Sequence, residues 1–532
     1  MCVQYRIGNR WASPAPIQSS PRRITAHIMC GIFALVLAAA GDNDDAHDNA
    51  GGTPSWLQRR GPDVMATVQT GDHNNSLVLL RASVLHMRDR LVPQPVRVVE
   101  GIYFCWNGEV YDDHVWEPAV MDTEYIVEQL RRVLMVPSEE EETTESIADK
   151  LHQVLSSLSN AEFACCLVTP NAVLYARDPW GRRSLLVAQD VWCVSSVADP
   201  TTQHWEEVPP GVVHVYNVKN PEQSMSIPFE KPPTLLHEPA SACNCMLDAS
   251  RRLDTMLEEA VRRRCLPDNN TAVLFSGGLD SSVVAALALR ILPSITLVTV
   301  SFVDGPGQQG GAAAADAVAA EVSFRELQSL FPSKSIDFVH RVIDWAQVQE
   351  QEQRIRQLIH PKTTLMDLNI AVALWFAAGA ATDARALLSG LGADELLGGY
   401  QRHRRAWQTG GDAALAAELE LDQERLWDRN LGRDDRVLSD TSHEVRFPFL
   451  DPHVVEFVRQ QPLRNVVDFT VDKGGDKRIL RLVAERMGLQ AASQQPKRAI
   501  QFGSRVAHVS DTRRFGSRRK ASGTAVAQKA PS

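Results

Sequence analysis

The stretch Val273-Leu274-Phe275-Ser276-Gly277-Gly278-Leu279-Asp280-Ser281-Ser282 decides the fold of the second half of this chain. The apolar run over residues 272–275 predicts a buried strand, and the glycine pair that follows predicts a tight turn. An Ala/Val/Leu-rich run that begins at Ser282 predicts a helix. Strand, glycine turn and helix in this order aim backbone N–H groups and a helix N-terminus at an anion, so the stretch predicts a phosphate-binding loop.

The chemistry of this loop restricts the kind of phosphate site. Its serines supply hydroxyl donors, its glycines let an anion approach the backbone, and its one acid suits the site only if it holds Mg²⁺. The loop lacks the Gly-Lys-Ser/Thr of the Walker A pattern and the spacing of the dinucleotide fingerprint. The alternative is a plain Ser/Gly turn between two elements. The predicted binding residues of the loop are Ser276, Gly277, Gly278, Asp280, Ser281 and Ser282.

Composition limits the class of protein. The 532 residues are enough for roughly two to four domains. Hydrophobic residues at 44% and charged residues at 23% are ordinary for a globular protein. A net charge of −10 argues against a general nucleic-acid binder. No apolar run approaches the ~18–20 residues of a membrane span. Small-molecule substrates are therefore the expected partners, with a homodimer as an alternative to a monomer.

The cysteines and the first residues bear on the compartment. Nine cysteines without metal-binding spacing indicate free thiols in a reducing compartment, the cytoplasm. Residues 1–29 stand apart, because the first 28 contain four arginines and no acid. This composition fits a mitochondrial transit peptide or sequence translated upstream of a start at Met29. The second is favoured, since removal of Met29 would place the Cys30 thiol beside an α-amine with a pKa near ~8, which suits a general base.

An ordered set of motifs follows Cys30. The set comprises Arg60-Gly61-Pro62-Asp63, Asn107-Gly108-Glu109-Val110-Tyr111, Asp122-Thr123-Glu124, Ala176-Arg177-Asp178-Pro179-Trp180-Gly181 and Val208-Pro209-Pro210-Gly211. Over residues 30–220 this set resembles the class II glutamine amidotransferase domains of asparagine synthetases. The resemblance implies an α+β fold, an αββα sandwich of antiparallel sheets typical of hydrolases with an N-terminal nucleophile.

The resemblance also implies residue roles. Cys30 would attack the side-chain amide of glutamine, giving a glutamyl thioester and ammonia. Asn107 and the Gly108 N–H would form the oxyanion hole, where preorganised donors stabilise a tetrahedral intermediate. Glu109 and Asp122 would hold the α-amine of glutamine.

One position departs from the family pattern. The family usually places an arginine for the glutamine carboxylate about eleven residues before the pair seen here as Gln94-Pro95. Counting back gives Ser83, with Arg81 and Arg88 nearby but out of register. A serine does not replace a bidentate guanidinium–carboxylate contact, so this position argues against glutaminase activity unless a neighbouring arginine reaches in.

The remaining chain is divided by composition. Residues 221–244 are rich in proline without a sustained period and predict a linker. Apolar residues recur at helical spacing over 245–264, which predicts a packing helix that ends in three arginines. Residues 295–302 predict the next parallel strand, and the Gly/Ala-rich run 308–320 predicts a flexible insertion. Residues 511–532 predict a disordered basic tail.

A second glycine turn carries more acids. Leu387-Leu388-Ser389-Gly390-Leu391-Gly392-Ala393-Asp394-Glu395 again ends an apolar strand in a polar turn. Asp394 is a natural second carboxylate for the Mg²⁺ that Asp280 would bind. With Arg446-Phe447-Pro448-Phe449-Leu450-Asp451 and Lys477-Arg478-Ile479-Leu480-Arg481, this stretch resembles the synthetase domain of asparagine synthetases over residues 245–510, an ATP pyrophosphatase of parallel α/β fold followed by helices.

That resemblance implies the rest of the ATP site. Leu274, Phe302, Ser389 and Gly390 would bind the nucleotide, with the adenine met through backbone at the strand end. Lys477 would contact the phosphates. Leu391 stands where ordinary asparagine synthetases have a glutamate, and a leucine neither accepts a proton nor binds ammonium. The pattern is similar to that of the divergent asparagine synthetase domain-containing subgroup of eukaryotes.

Two classes of function are compatible with these residues. The first is a glutamine-hydrolysing, ATP-dependent ligase that converts aspartate to asparagine through β-aspartyl-AMP, with release of AMP and pyrophosphate. The second is a nucleotide-binding scaffold or regulatory protein that kept the fold and lost the chemistry, for which Ser83 and Leu391 speak. An amidotransferase with a different acceptor lies between the two.

Overall fold

The computed structural model of the chain describes residues 2–3, 28–38, 55–72, 76–87, 90–112, 115, 121–135, 143–199, 202, 204–229, 243, 245–266, 270–305 and 314–515. The predicted linker therefore lies largely outside the described residues, as do most of the predicted leader and of the predicted tail. Within the described part, no helix has the length and apolar character needed to cross a membrane.

The strands form three sheets. In chain order they are β1 (Cys2–Val3), β2 (Ile28–Ala38), β3 (Val64–Asp72), β4 (Ser76–His86), β5 (Val96–Val99), β6 (Ile102–Val110), β7 (Ala161–Val168), β8 (Ala172–Arg177), β9 (Leu186–Ala188), β10 (Cys193–Ser195), β11 (Trp205–Glu207), β12 (Val212–Asn217), β13 (Met225–Pro228), β14 (Thr271–Leu274), β15 (Ser294–Val303), β16 (Ser335–Asp344), β17 (Ala386–Leu388) and β18 (Glu444–Arg446).

The α-helices surround these sheets. They are α1 (Ser55–Gln58), α2 (Asp122–Leu134), α3 (Thr144–Ser156), α4 (Met246–Arg264), α5 (Leu279–Ile291), α6 (Ala315–Leu330), α7 (Trp345–Ile359), α8 (Leu365–Ala378), α9 (Ala393–Leu397), α10 (Gln401–Glu424), α11 (Gly432–Ser439), α12 (Pro452–Arg459), α13 (Arg478–Met487), α14 (Gln490–Ser493), α15 (Ile500–Gly503) and α16 (Val506–Phe515). A π-helical turn, Trp427–Leu431, precedes α11.

The amino-terminal domain is a sandwich of two six-stranded antiparallel sheets, with orders β11-β9-β10-β2-β4-β3 and β13-β12-β8-β7-β6-β5. Side chains alternate between the two faces of a strand, so one set from each strand points inward. Ile32, Val78 and Leu80 from the first sheet pack with Cys105 and Cys166 from the second. This buried layer between the sheets confirms the predicted antiparallel sandwich.

The two outer faces of the sandwich are covered differently. Helices α2 and α3 are amphipathic and bury their apolar sides on the second sheet. The first sheet instead contributes Phe33 and Trp205 to the core of the carboxy-terminal domain, together with Leu57 of α1. The second domain thus covers the face of the first sheet that the described helices of the sandwich leave open.

The carboxy-terminal sheet has the order β1-β16-β15-β14-β17-β18. Its strands β14 to β18 pair in parallel, and the two-residue β1 adds antiparallel to β16. From β14 the chain proceeds first to β15 and β16 on one side and later to β17 and β18 on the other. A crevice therefore opens at the carboxyl ends of β14 and β17, where open α/β sheets bind ligands. The predicted parallel α/β domain is confirmed.

Several local predictions can be compared with these bounds. Strand β14 and helix α4 lie where the sequence predicts them. The run 308–320 was predicted as a flexible insertion, but it is helical from Ala315, and the backbone of Ala319 and Ala320 lies against Gly277 of the phosphate loop. Strand β13 lies beyond the predicted boundary at residue 220, and α16 crosses the predicted boundary at residue 510.

The two domains meet across a buried network of arginines and carboxylates. Its close ion pairs are Arg60–Asp435 at 2.8 Å, Arg264–Glu162 at 2.9 Å, Arg264–Asp451 at 2.6 Å, Arg436–Glu207 at 2.7 Å and Arg446–Glu109 at 3.1 Å. Arg183 lies within 3.7 Å of Glu162, Asp435 and Glu444. The side chains of these pairs are at most 2% exposed. Because an unpaired buried charge is costly, each partner is needed by the other.

We expect Arg264→Met to destabilise the protein strongly. The substitution leaves Glu162 and Asp451 buried with one cation fewer, which costs about 3–5 kcal/mol in other proteins. Arg262→Met in the same helix is the matched control, since Arg262 is half exposed and its pairs with Glu258 and Glu259 are worth about 0–1 kcal/mol. Denaturant unfolding of both variants measures the difference. Equal losses of stability would contradict this account of the junction.

Candidate active site

The predicted phosphate loop lies at the carboxyl end of β14. Gly277 has a φ of +70°, and a Cβ at this position would lie 2.2 Å from the Ala320 backbone nitrogen, so only glycine fits. The Ser276 and Ser281 hydroxyl oxygens are 3.3 Å apart. The Ser282 hydroxyl is buried and has no hydrogen-bond partner among the described residues. The loop thus keeps a spare buried donor at the N-terminus of α5, the place where an anion is favoured.

The second glycine turn lies beside the first. The Ser389 N–H donates to the Arg446 carbonyl at 3.0 Å, which fixes the turn to the neighbouring strand β18. A Cβ on Gly390 would come within 2.9 Å of the Asp280 Cβ, so the glycine allows the two loops to touch. Leu391 donates its N–H to the Ser389 hydroxyl at 3.2 Å and packs half-buried on the core. The switch point therefore brings both predicted loops together.

A lysine bridges the two predicted metal-binding acids. Lys477 Nζ donates to both Asp280 oxygens, at 2.8 and 2.7 Å, and to Asp394 Oδ1 at 2.8 Å. Lys497 Nζ donates to the other oxygen of Asp394. The Lys477 backbone has a φ of +48°, a left-handed conformation that is uncommon for residues other than glycine. Such strain is typical of positions where function constrains the backbone.

The charges of this cluster support one another. Burial opposes ionisation of Asp394, but Lys477 and Lys497 outweigh it and hold the pKa of Asp394 well below its ordinary value. Burial also opposes the charge of Lys477, but Asp280 and Asp394 raise its pKa above the ordinary lysine value. Burial and then the negative charge of Asp394 raise the pKa of Asp280, against the opposing effect of Lys477. These directions favour an ionised Asp394 and a protonated Lys477, so opposite charges face each other within the cluster.

These residues fit Mg²⁺ carried by a nucleotide. Among the described residues no group of three or more His, Cys, Asp or Glu side chains forms a metal cage. Mg²⁺ commonly takes only one or two protein carboxylates and completes its shell with phosphate and water. Asp280 and Asp394 supply that pair beside the phosphate loop.

Sequence reasoning did not select Lys497 or the pair Glu395–Tyr400. Burial, and then the charge of Asp394, raises the pKa of Glu395 to about 7, while the Tyr400 hydroxyl donates to Glu395 at 2.6 Å. Lys497 Nζ lies 5.5 Å from the centre of the Tyr400 ring. Lys497 is in a segment without hydrophobic period, so no local pattern distinguishes it. Glu395 and Tyr400 could have been found from the sequence, because both lie in or next to the second glycine turn.

Two predicted nucleotide contacts have different surroundings. Leu274 ends β14 and is partly buried beside the loop. The Phe302 N–H, by contrast, donates to the Ser504 carbonyl at 3.0 Å, and the Phe302 ring packs edge-on against Phe376. A carbonyl of the carboxy-terminal segment thus accepts the hydrogen bond of the Phe302 N–H, at the strand end predicted to meet adenine.

The predicted oxyanion hole lies on β6. The side-chain amide nitrogen and oxygen of Asn107 are both buried without a hydrogen-bond partner among the described residues. Because a buried amide normally has partners, this one marks Asn107 as a candidate ligand contact. Gly108 is pressed against β7, where a Cβ would lie 2.1 Å from the Glu162 carbonyl oxygen. Cys30 lies on β2 with its backbone paired to Val84, and its side chain is outside the described set.

The predicted glutamine-binding acids are both buried. Glu109 forms its ion pair with Arg446 of the other domain. Asp122 begins α2 and accepts a hydrogen bond from the Val110 N–H at 2.9 Å. Both acids therefore lie close to β6, where Asn107 is also found.

Ser83 has a structural role in this domain. Its hydroxyl accepts from the Gly31 N–H at 3.1 Å and donates to the Leu57 carbonyl at 2.8 Å, which ties β2 and β4 to α1. Arg81 lies two residues earlier on the same face of β4 and is also buried, and that burial lowers the pKa of Arg81. A buried arginine thus lies two residues from the position that counting back from Gln94 reaches.

Comparison with known proteins shows which proteins the chain is similar to. Residues 252–414 and 407–515 match the family model for asparagine synthase. The chain is 29% identical to "Asparagine synthetase domain-containing protein 1" of Gallus gallus, over 90% of this chain and 97% of that protein. The protein of the same description from Homo sapiens is also 29% identical, over 85% and 91% of the two chains.

A solved structure and a more distant relative complete the comparison. A glutamine phosphoribosylpyrophosphate amidotransferase from B. subtilis is 16% identical, with a TM-score of 0.29, over 55% of this chain and 70% of that one. A putative glutamine-hydrolysing asparagine synthetase of Methanocaldococcus jannaschii is 26% identical over 48% of this chain and 50% of its own length. The carboxy-terminal half thus matches an asparagine synthase domain, and over most of its length the chain is similar to asparagine synthetase domain-containing proteins.

Proposed function

We propose that the chain is a glutamine-hydrolysing, ATP-dependent ligase that forms asparagine from aspartate through β-aspartyl-AMP. The observation that carries the proposal is the cluster of Asp280, Lys477, Asp394 and Lys497 at the switch point of the parallel sheet. Acids for a metal, lysines for phosphate and a glycine loop meet there, as cleavage of ATP between its α- and β-phosphates requires.

The residues of the synthetase site have separate tasks in this proposal. The loop around Gly277 cradles the pyrophosphate portion of ATP, and Lys477 and Lys497 turn from the acids to the phosphates. Mg²⁺ held by Asp280 and Asp394 would neutralise phosphate charge. A carboxylate oxygen of aspartate attacks the α-phosphorus and pyrophosphate leaves. Ammonia then attacks the acyl carbon and AMP leaves.

The amidotransferase site supplies the ammonia. The Cys30 thiolate attacks the glutamine amide, ammonia departs, and water hydrolyses the resulting thioester to glutamate. Asn107, whose side-chain amide has no hydrogen-bond partner among the described residues, donates to the oxyanion of the tetrahedral intermediate. Arg81 is the proposed partner of the glutamine carboxylate, and Glu109 and Asp122 are those of its ammonium.

A second candidate is favoured by Leu391. This side chain lies in the turn between the nucleotide loops and offers no polar atom to ammonium or to a proton. A nucleotide-binding regulatory protein, or an amidotransferase for a less polar acceptor, would tolerate it. The asparagine-forming ligase requires aspartate for cleavage of ATP, whereas these alternatives do not.

Pyrophosphate release tests the proposed reaction. Protein beginning at Cys30 is given ATP, Mg²⁺, aspartate and ammonium chloride, which bypasses the glutamine site. We expect pyrophosphate release that requires aspartate, with asparagine as product. Leu391→Glu should raise the asparagine yield by about tenfold, because it adds a group able to bind ammonium or accept a proton. ATP binding without aspartate-dependent release, in both proteins, would favour the regulatory reading.

Asp280→Asn tests the metal-binding role. The substitution keeps the shape of the side chain but removes a hard anionic ligand, so we expect the Mg²⁺-dependent part of ATP affinity to fall by about tenfold or more. Calorimetry with and without Mg²⁺ measures that part. Asp337→Asn on the exposed surface of β16 is the control. An unchanged Mg²⁺ effect in Asp280→Asn would remove this loop from the site.

Cys30→Ala tests the nucleophile. Glutamate release from glutamine should fall to background, while turnover with ammonium chloride continues, because the two half-sites use separate residues. Cys245→Ala, at an exposed cysteine, serves as the control. Continued glutamate release by Cys30→Ala would show that another residue attacks the amide.

A further inference from the structure

Arg446 contacts structural elements of both candidate sites. It lies on β18 with its side chain fully buried. Its guanidinium donates to Glu109 at 3.1 Å through Nη2, to Glu444 at 2.5 Å through Nε and to the Arg264 carbonyl at 3.1 Å through Nη1. Three different acceptors hold the planar group, so it has a single orientation.

On one side, Arg446 determines the position of an acid beside Asn107. Glu109 and Asn107 are two residues apart on β6, so their side chains share one face of the strand. Asn107 has the unpartnered buried amide described above. An ion pair that holds Glu109 in place therefore also determines what a ligand at Asn107 meets.

On the other side, the backbone of Arg446 supports the nucleotide site. Leu388 and Arg446 are paired in the parallel register of β17 and β18. The Arg446 carbonyl accepts from the Ser389 N–H at 3.0 Å, at the residue that opens the second glycine turn. The next residue, Gly390, touches Asp280. A displacement of Arg446 would therefore reach the turn beside the predicted metal-binding acids.

We propose that Arg446 is a positioning residue for both half-sites: its side chain orients Glu109 for the ammonium group of glutamine, and its backbone supports the turn beneath the nucleotide. The inference rests on the proposed function, because it takes glutamine and ATP as the ligands. As part of this proposal, a ligand at either site shifts Arg446 and so changes affinity at the other site, and thermodynamic linkage then makes the factor the same in both directions.

Calorimetry on the full chain tests this role without requiring turnover. Glutamine is titrated with and without saturating ATP and Mg²⁺, and ATP with and without glutamine. We expect glutamine to bind the wild type about fivefold or more tightly when nucleotide is present, with the same factor in the reverse titration. The double variant Arg446→Met/Glu444→Gln removes one cation and one anion together. For this variant, the ratio of the glutamine Kd without nucleotide to the glutamine Kd with nucleotide should fall to one. Its glutamine Kd should also rise by about tenfold.

Controls separate this role from general support of the junction. Glu444→Gln alone keeps Arg446 and should retain the wild-type ratio. Arg436→Met removes an equally buried junction arginine, whose partners Glu207 and Ser184 belong to neither half-site. It should lower the unfolding temperature and leave the ratio unchanged. Arg446→Lys keeps the cation and should restore part of the glutamine affinity, and it replaces the double variant if that protein fails to fold.

The outcomes distinguish the two proposals. If the wild type binds ATP but not glutamine, the proposed function and this inference both fail. If the wild type shows the coupling and the Arg446 variants keep it, the positioning role is wrong and the proposed function stands. If the ratio also falls to one in Arg436→Met, the coupling belongs to the junction as a whole. That result would overturn the assignment to Arg446.

Discussion

The charge balance of the domain junction is the constraint on which the rest of this structure depends. Arginines such as Arg183 and Arg264 are fully buried there, and each lies against two or three carboxylates from both domains. A junction of this kind adds little net stability compared with apolar packing, but it tolerates few rearrangements, because every displaced partner leaves a buried charge. It therefore fixes the relative position of β6 and β18, and with them both candidate sites.

The charges of the nucleotide site are balanced within one small cluster, not across the two domains. Lys477 and Lys497 neutralise Asp280 and Asp394 at the point where two neighbouring strands of the parallel sheet lead away in opposite directions. A magnesium nucleotide brings both a cation for the acids and anions for the lysines, so it can exchange partners with the cluster without leaving a charge unpaired. The positive φ of Lys477 indicates that the surrounding structure holds the lysine there at some conformational cost.

Comparison of the sequence-based expectations with the structure shows where local reasoning is sufficient. The strand, glycine turn and helix around Gly277 follow from adjacent residues, and they were predicted correctly. The contacts of Ser83, by contrast, do not follow from adjacent residues: its hydroxyl links Gly31 to Leu57, which are distant from it in the chain. The residues 308–320 likewise looked like a flexible insertion, because their packing partner is a loop some forty residues earlier in the chain.

The sequence by itself determined the two fold classes, the family resemblance and the two glycine loops with Asp280 and Asp394. These features depend on hydrophobic period, on glycine and on spacing within short segments, which are all local properties. Only the tertiary structure decided that Lys497 reaches Asp394, that the Phe302 amide is engaged by Ser504 and that Glu109 pairs with Arg446. Each of these contacts joins residues more than a hundred positions apart, and no local pattern encodes which distant partner a buried charge or amide will meet.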